Sequence, residues 1–183
     1  MSHGGKAFAA IIAMGVVTAC AMLGWYPAAF VATPEDIGGD SHIVWASGVD
    51  RMAASAIRYY GQAAGQTTST VKLAPEIARE AHAKSLDALI DTIIVRDAIA
   101  HDDGTAEADA LLEEKMATYS QNPEFSVAMS VVYGLDAAGF VEFIARPETE
   151  REFLKNGEKW DDAAFAAWLA SERAGSKIVR FSK

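Results

Sequence analysis

The chain has 183 residues, with 16 basic and 25 acidic side chains, a net charge of −9 and one cysteine. That balance excludes the basic clusters needed to neutralise phosphates, so nucleic acid is not an expected partner, and it offers no electrostatic hold on anionic lipid. Because the single cysteine is Cys20, no internal disulfide can form and the fold must stand on packing alone.

Behind Lys6 the chain is uncharged from Ala7 to Val31, AFAAIIAMGVVTACAMLGWYPAAFV. A helix rises about 1.5 Å per residue, so roughly 20 apolar residues cross a hydrocarbon core, and this run exceeds that. Trp25 and Tyr26 fall near its end, where amphipathic rings favour the headgroup boundary, and Pro27 offers a stop. Three readings compete. The first is a retained single-span anchor over residues 7–31. The second is lipidation at Cys20, since Val17-Thr18-Ala19-Cys20 resembles a lipobox. The third is ordinary cleavage around Ala19-Cys20-Ala21. The anchor is preferred, because a lipid-tethered chain should turn polar directly after the cysteine and this one does not. All three send the remainder across the cytoplasmic membrane, to the periplasm or the cell exterior. Lys6 on the inner flank, against Glu35, Asp36 and Asp40 beyond, agrees with that orientation.

From Ala32 to Ser47, Pro34, Gly38, Gly39 and Asp40 read as a linker with one short extended piece, His42 to Trp45. Val49 to Gly61 turns helical, with Met52, Ile57 and Tyr60 on one face, and Gly65 to Val71 is a flexible connection. Pro75 opens the longest helix, whose buried stripe is Leu86, Leu89, Ile90, Ile93, Ile94 and Ile99. Asp102, Asp103 and Gly104 end it. Thr105 is placed to cap the next helix, which presents Leu111, Leu112, Met116 and Tyr119 and leaves Glu113 and Glu114 outside.

Later boundaries are signalled in more detail. Asn122-Pro123-Glu124 reads as a cap, a first-turn proline and a dipole-matched carboxylate, opening a short helix that closes at Gly134. Asp136 caps the following helix, with Leu135 and Phe140 at hydrophobic-staple spacing; Asp161 repeats the device with Trp160 and Phe165. Pro147 demands a kink or a restart, with Phe153 and Leu154 packing beyond it. The last helix carries Phe165, Trp168 and Leu169, and Gly175 releases Lys177 to Phe181 as a candidate strand. The expected class is therefore all-α, with an N-terminal transmembrane or signal helix and that one C-terminal strand as the candidate exception.

Reactive chemistry finds no footing. His3, His42, His82 and His101 lack metal-ligand spacing. Aligning Gly104 with the invariant glycine of an EF-hand loop puts Ile99 at the first ligand position and Ala110 at the last, so calcium is not expected. GxSxG, P-loop and GxGxxG patterns are missing, and Asp102/Asp103, Glu113/Glu114 and Asp161/Asp162 sit where helix dipoles and solvation account for them. No catalysis, metal or cofactor is expected.

The order of elements does point somewhere. The run from Ser85 to Leu154, with Leu89-Ile90-Asp91, Thr105-Ala106-Glu107, and Gly134-Leu135-Asp136 followed by Phe140, resembles the N-terminal chaperone domain of the SurA type of periplasmic foldase. That family shows a long "LxxLIDxxLLxxxA" helix, a polar turn, a helix opening at Ser or Thr with acidic residues, then a "GLsxxeFxxxl" helix. Phe165 to Val179 is similar to its closing helix and strand. Two departures matter. Ile43 to Ile57 is only loosely like the family's "VNGxxI" entry. The parvulin prolyl isomerase domain that many relatives insert has no room between Leu154 and Phe165, so isomerase activity is not implied.

On this reading residues 1–33 are anchor or signal, 34–74 linker and first helix, and 75–183 a SurA-N-like helical domain. The implied function is a membrane-tethered, envelope-facing, chaperone-like module that binds unfolded or partly folded polypeptides without catalysis. Methionine and aromatic side chains suit such a surface because they repack around varied partners, and Met116, Tyr119, Phe125, Met129 and Tyr133 are the peptide-binding candidates. The same residue types equally build an ordinary core. The alternative function is a structural or assembly subunit docking on one specific membrane protein.

Overall fold

The structure is a computed structural model that describes residues 26–34, 41–63 and 75–181. It is mostly helical, with a small sheet: β1 (Pro27–Ala32), β2 (His42–Trp45) and β3 (Lys177–Arg180) in the order β2-β1-β3, both pairings antiparallel. The helices are α1 (Ala46–Ala63), α2 (Pro75–His101), α3 (Thr105–Ser120), α4 (Phe125–Ala128), α5 (Ala137–Phe140), α6 (Arg146–Glu158) and α7 (Asp162–Gly175). Two π-helical turns, π1 (Met129–Tyr133) and π2 (Val141–Ala145), continue α4 and α5.

The sheet corrects the all-α expectation and shortens the apolar span. Pro27 to Val31, read as the end of a membrane helix, belong to the central strand. An apolar run flanked by Pro is compatible with a buried strand as well as with a helix, and periodicity alone does not separate them. Pro27 is tolerated because it is the first strand residue and the register shifts between Pro27 and Ala29. Residues 7–25, including Cys20, lie outside the described residues, so the anchor and lipidation readings fall there. Strands taken from the apolar run, the linker and the C-terminal segment thus pair in one sheet.

Ala29, Val31 and Val44 face inward and pack with Val49 against Ile90 and Ile94 of α2. A second cluster joins Leu112, Met129, Leu135, Phe140, Phe143 and Ala145; a third joins Val95, Ile99, Ala108, Leu154 and Phe165. Helix α2 is the common element. Ile90 and Ile94 belong to the first core, Leu89 packs against the second, and Val95 and Ile99 belong to the third. The buried residues of α1 are Ala46, Val49, Ala53 and Ser55, and Val49 packs with Ile90 and Ile94 of α2. Tyr60, expected on that face, is exposed instead.

Local signals account for most helix ends. Asp136 Oδ1 accepts the Gly139 amide at 2.7 Å and Asp161 Oδ1 accepts the Ala164 amide at 2.8 Å, so both caps form as read. Leu135 and Phe140 share one core and Trp160 packs on the core that holds Phe165, which completes each staple. Asn122 Oδ1 accepts the Glu124 amide at 2.9 Å, one turn ahead of α4. Thr105 is a correction: Gly104 holds the cap position and Thr105 is already helical, with no side-chain cap. Pro147 has no N–H for the Phe143 carbonyl, and its ring crowds that carbonyl. The chain widens into π2 just ahead of it and restarts as α6.

Ion pairs tie the C-terminal elements to α2. Arg173 of α7 reaches Asp87 and, at 3.0 Å, Asp91; Arg180 of β3 reaches Asp87 at 2.6 Å. At Asp87 desolvation is outweighed by hydrogen bonds from Arg180 and Arg173, which hold the carboxyl below its ordinary value. At Asp91 desolvation wins over Arg173 and the carboxyl is raised. The signs then oppose. Asp87 contributes stability above the unfolded carboxyl pKa that is lost as pH falls through its lower folded value; Asp91 loses stability as pH rises from its unfolded value through its higher folded one. Urea titrations at neutral pH should show Asp87→Asn destabilised by about 0.5–1 kcal/mol, since solvent screens the site, and Asp91→Asn unchanged or more stable. Below pH 4 the Asp87→Asn deficit should close. Equal losses for both variants at neutral pH would contradict this assignment.

Candidate binding surface

The five residues singled out from the sequence come together where α3, α4, π1 and α5 meet. Phe140 stands at the centre, with ring centroids 5.2 Å from Phe125, 5.6 Å from Tyr133 and 6.4 Å from Tyr119. Tyr119 and Phe125 are 5.4 Å apart, and Met116 packs against the same cluster. Edge-to-face pairs at these spacings add to the burial of the rings. The five do not form an open trough. Met129 is buried, Met116, Phe125 and Tyr133 are partly buried, and only Tyr119 is exposed. Desolvation, followed by the neighbouring Tyr59 and Glu148, holds the Tyr133 phenol above its ordinary value, as expected of a half-buried ring.

The exposed apolar surface lies beside this cluster, on residues the sequence reading did not select. Val127 of α4 and Val131 of π1 face outward, and Val127 is 60% exposed. On α1, Tyr59 stacks on Tyr133 at 5.4 Å with the rings 9° from parallel, and Tyr60, 70% exposed, meets Tyr59 edge on. Arg58 Nε and Gln62 Nε2 both donate to the Val131 carbonyl, at 2.9 and 2.7 Å, satisfying an end-of-helix acceptor that π1 leaves open. Gly134 then turns the chain at φ +67°, and a Cβ there would come 2.9 Å from Arg58 Cδ. Thus α1 and π1 are joined, and the exposed Tyr59, Tyr60, Tyr119, Val127 and Val131 sit on elements that meet this cluster. The i, i+4 spacing of Val127 and Val131 was a readable signal. Their exposure was not, because it depends on which side of α4 and π1 meets Phe140.

A second cluster is polar. Asp97 of α2 accepts from Thr33 Oγ1 at 2.9 Å and pairs with His42 Nε2 at 3.0 Å. The carboxylate sits between the two, so the hydroxyl gives its proton to Asp97 rather than to the imidazole. That is not the order of a nucleophile and its base. The arrangement fastens the β1 and β2 ends to α2. Among the described residues no group of three or more His, Cys, Asp or Glu side chains is placed to hold a metal ion, and no single helix is long and apolar enough to cross a membrane.

An apolar groove of about 490 Å³ lies between the start of β1, the end of β3 and helices α1 and α2. Phe30, Val49, Leu86 and Phe181 are among its walls, and the Asp50–His82 pair at 3.3 Å is its polar part. No family model matches this chain, and neither a curated protein nor a solved structure matches it.

Proposed function

We propose that this protein is a membrane-tethered, envelope-facing, chaperone-like module that holds unfolded or partly folded polypeptide segments and performs no catalysis. The observation that carries the reading is the exposure of Tyr59, Tyr60, Tyr119, Val127 and Val131 on elements that meet a methionine and aromatic cluster. Large apolar side chains grouped on a surface favour contact with another chain, and aromatic and methionine neighbours adapt to varied partners. Val131 sits on a π-helical turn, a geometry frequent at functional sites. The reading also follows the SurA-type resemblance of the sequence, in which the closing helix and strand would correspond to α7 and β3.

The test uses the full chain in phosphatidylcholine nanodiscs, because β1 begins at Pro27 and a fragment starting at residue 34 would lack the central strand. Several unrelated unfolded clients are offered at near-stoichiometric amounts and their aggregation followed by light scattering. Broad suppression is expected. The double variant Tyr60→Ser/Val127→Glu should lose most of it while its thermal unfolding stays close to the parent, as surface changes usually cost under about 0.5 kcal/mol. Suppression of no client, with one tight partner recovered from membrane extracts, would replace the reading by an assembly subunit.

A further inference from the structure

The outer face of the sheet carries large apolar side chains, several of them well exposed. By register Phe30 of β1 stands directly between Ile43 of β2 and Val179 of β3. Trp45 and Phe181 extend the same face toward the start of β1. There the Phe181 amide donates to the Ala28 carbonyl at 2.9 Å, and the Phe30 and Phe181 rings meet edge to face at 5.2 Å. Ile43, Trp45, Val179 and Phe181 are each between 38% and 44% exposed. An antiparallel sheet with one face on a core ordinarily turns polar residues outward. Here both faces are apolar, and contiguous exposed apolar surface marks something that docks.

The face is also polarised along its length. Its aromatic side chains lie toward the beginning of β1, next to Tyr26, whereas Lys177 pairs with Ala32 at the opposite end. That beginning is where the uncharged run Ala7 to Trp25 joins the strand, with no spacer between Trp25 and Tyr26. At about 3.3 Å per residue a six-residue strand reaches only about 20 Å from its start, so nothing on this face is far from that junction.

We propose that the outer face of the sheet rests on the lipid bilayer that receives residues 7–25, with Tyr26, Trp45, Phe30 and Phe181 at the boundary between headgroups and hydrocarbon. The proposal rests on the anchor reading of those residues. Tryptophan and tyrosine rings favour that boundary, and the burial of Ile43 and Val179 in it removes apolar area from water. The apolar groove shares Tyr26, Phe30 and Phe181 with this face. Charge does not hold the contact, since the chain carries −9, so zwitterionic lipid suffices and salt should not release it. The consequence is a fixed posture: the sheet lies on the membrane, and Tyr60 and Val127 belong to a different part of the surface.

The experiment reconstitutes the full chain, carrying Cys20→Ser, in phosphatidylcholine vesicles with a single added cysteine bearing an environment-sensitive fluorophore. Val179→Cys probes the sheet face, and Val127→Cys is the control on α4. The label at 179 should emit at shorter wavelength than the label at 127 and be quenched at least about threefold more by nitroxide-bearing lipids, at low and high salt alike. Adding Phe181→Ser to the Val179→Cys chain should weaken that quenching. Equal, water-like emission from both labels in protein that floats with the vesicles overturns the proposal and leaves the anchor standing. A shifted emission at 179 without lipid quenching also overturns it, and assigns the face to a protein surface. Protein that fails to float with the vesicles removes the anchor reading, and the proposal with it.

Discussion

Phe140→Ala should lower the unfolding free energy by about 3–5 kcal/mol, the range for truncating a well-packed aromatic residue. Among the described residues Phe140 is the one ring that touches Tyr119, Phe125 and Tyr133 together, and it is buried with Leu112, Met129, Leu135 and Phe143. Removing it leaves a cavity that α5 cannot close, because the Asp136 cap fixes the start of that helix and π2 fixes its exit. With a total stability of about 5–15 kcal/mol, this single loss is a large share. The urea midpoint should fall with an unchanged slope, and the melting temperature should drop by roughly 10 °C for a chain of this size. Phe140→Leu should retain most of the stability. An alanine variant that loses less than about 1 kcal/mol would mean the ring is not packed as described.

The second large effect belongs to Glu150, which is 5% exposed although it sits on a helix rich in charge. Arg96 of α2 grips it with two bonds, Nε to Oε1 at 3.0 Å and Nη2 to Oε2 at 3.4 Å, while Arg146 stands 3.7 Å from Oε1 and also reaches Asp109. Replacing Arg96 by methionine keeps the apolar stem and removes the fork. Glu150 then stays desolvated with one weaker partner, so the loss should be about 2–4 kcal/mol. Glu150→Gln in the Arg96→Met background should recover part of it, because a neutral amide is cheaper to bury than an unpaired carboxylate. A double-mutant cycle in urea measures the coupling, expected at about 1–3 kcal/mol. Additive losses would show that the pair is not coupled and that Glu150 draws its support from elsewhere.

The helical part of this fold was legible because its signals are local. Asp136 and Asp161 announce caps within three residues, Gly134 is needed where φ turns positive, and Pro147 forces a restart through a missing donor. Two of the three strands were legible as well, His42–Trp45 as an extended piece and Lys177–Arg180 within the candidate C-terminal strand, but the central strand β1 was hidden for the opposite reason. Phe30 looks the same in a membrane helix and in a central strand, and only its pairing with Ile43 across the linker and with Val179, far away in sequence, makes it a strand residue. Thr105 failed as a cap because Gly104 already held that position. For the surface, grouping was readable and exposure was not. Met116, Tyr119, Phe125, Met129 and Tyr133 do assemble, but the packing around Phe140 decides that Met129 turns in while Val127 and Val131 turn out.

The pairing of β1 with β3 sets an order of events during synthesis. Strand β1 waits for β3, at the far end of the described residues, before one of its two edges is matched. Until Lys177–Arg180 have emerged, Ala29, Phe30 and Val31 carry backbone groups open to any passing extended segment, a hazard for nascent chains. A product trimmed ahead of Lys177 should therefore aggregate more readily than the whole chain.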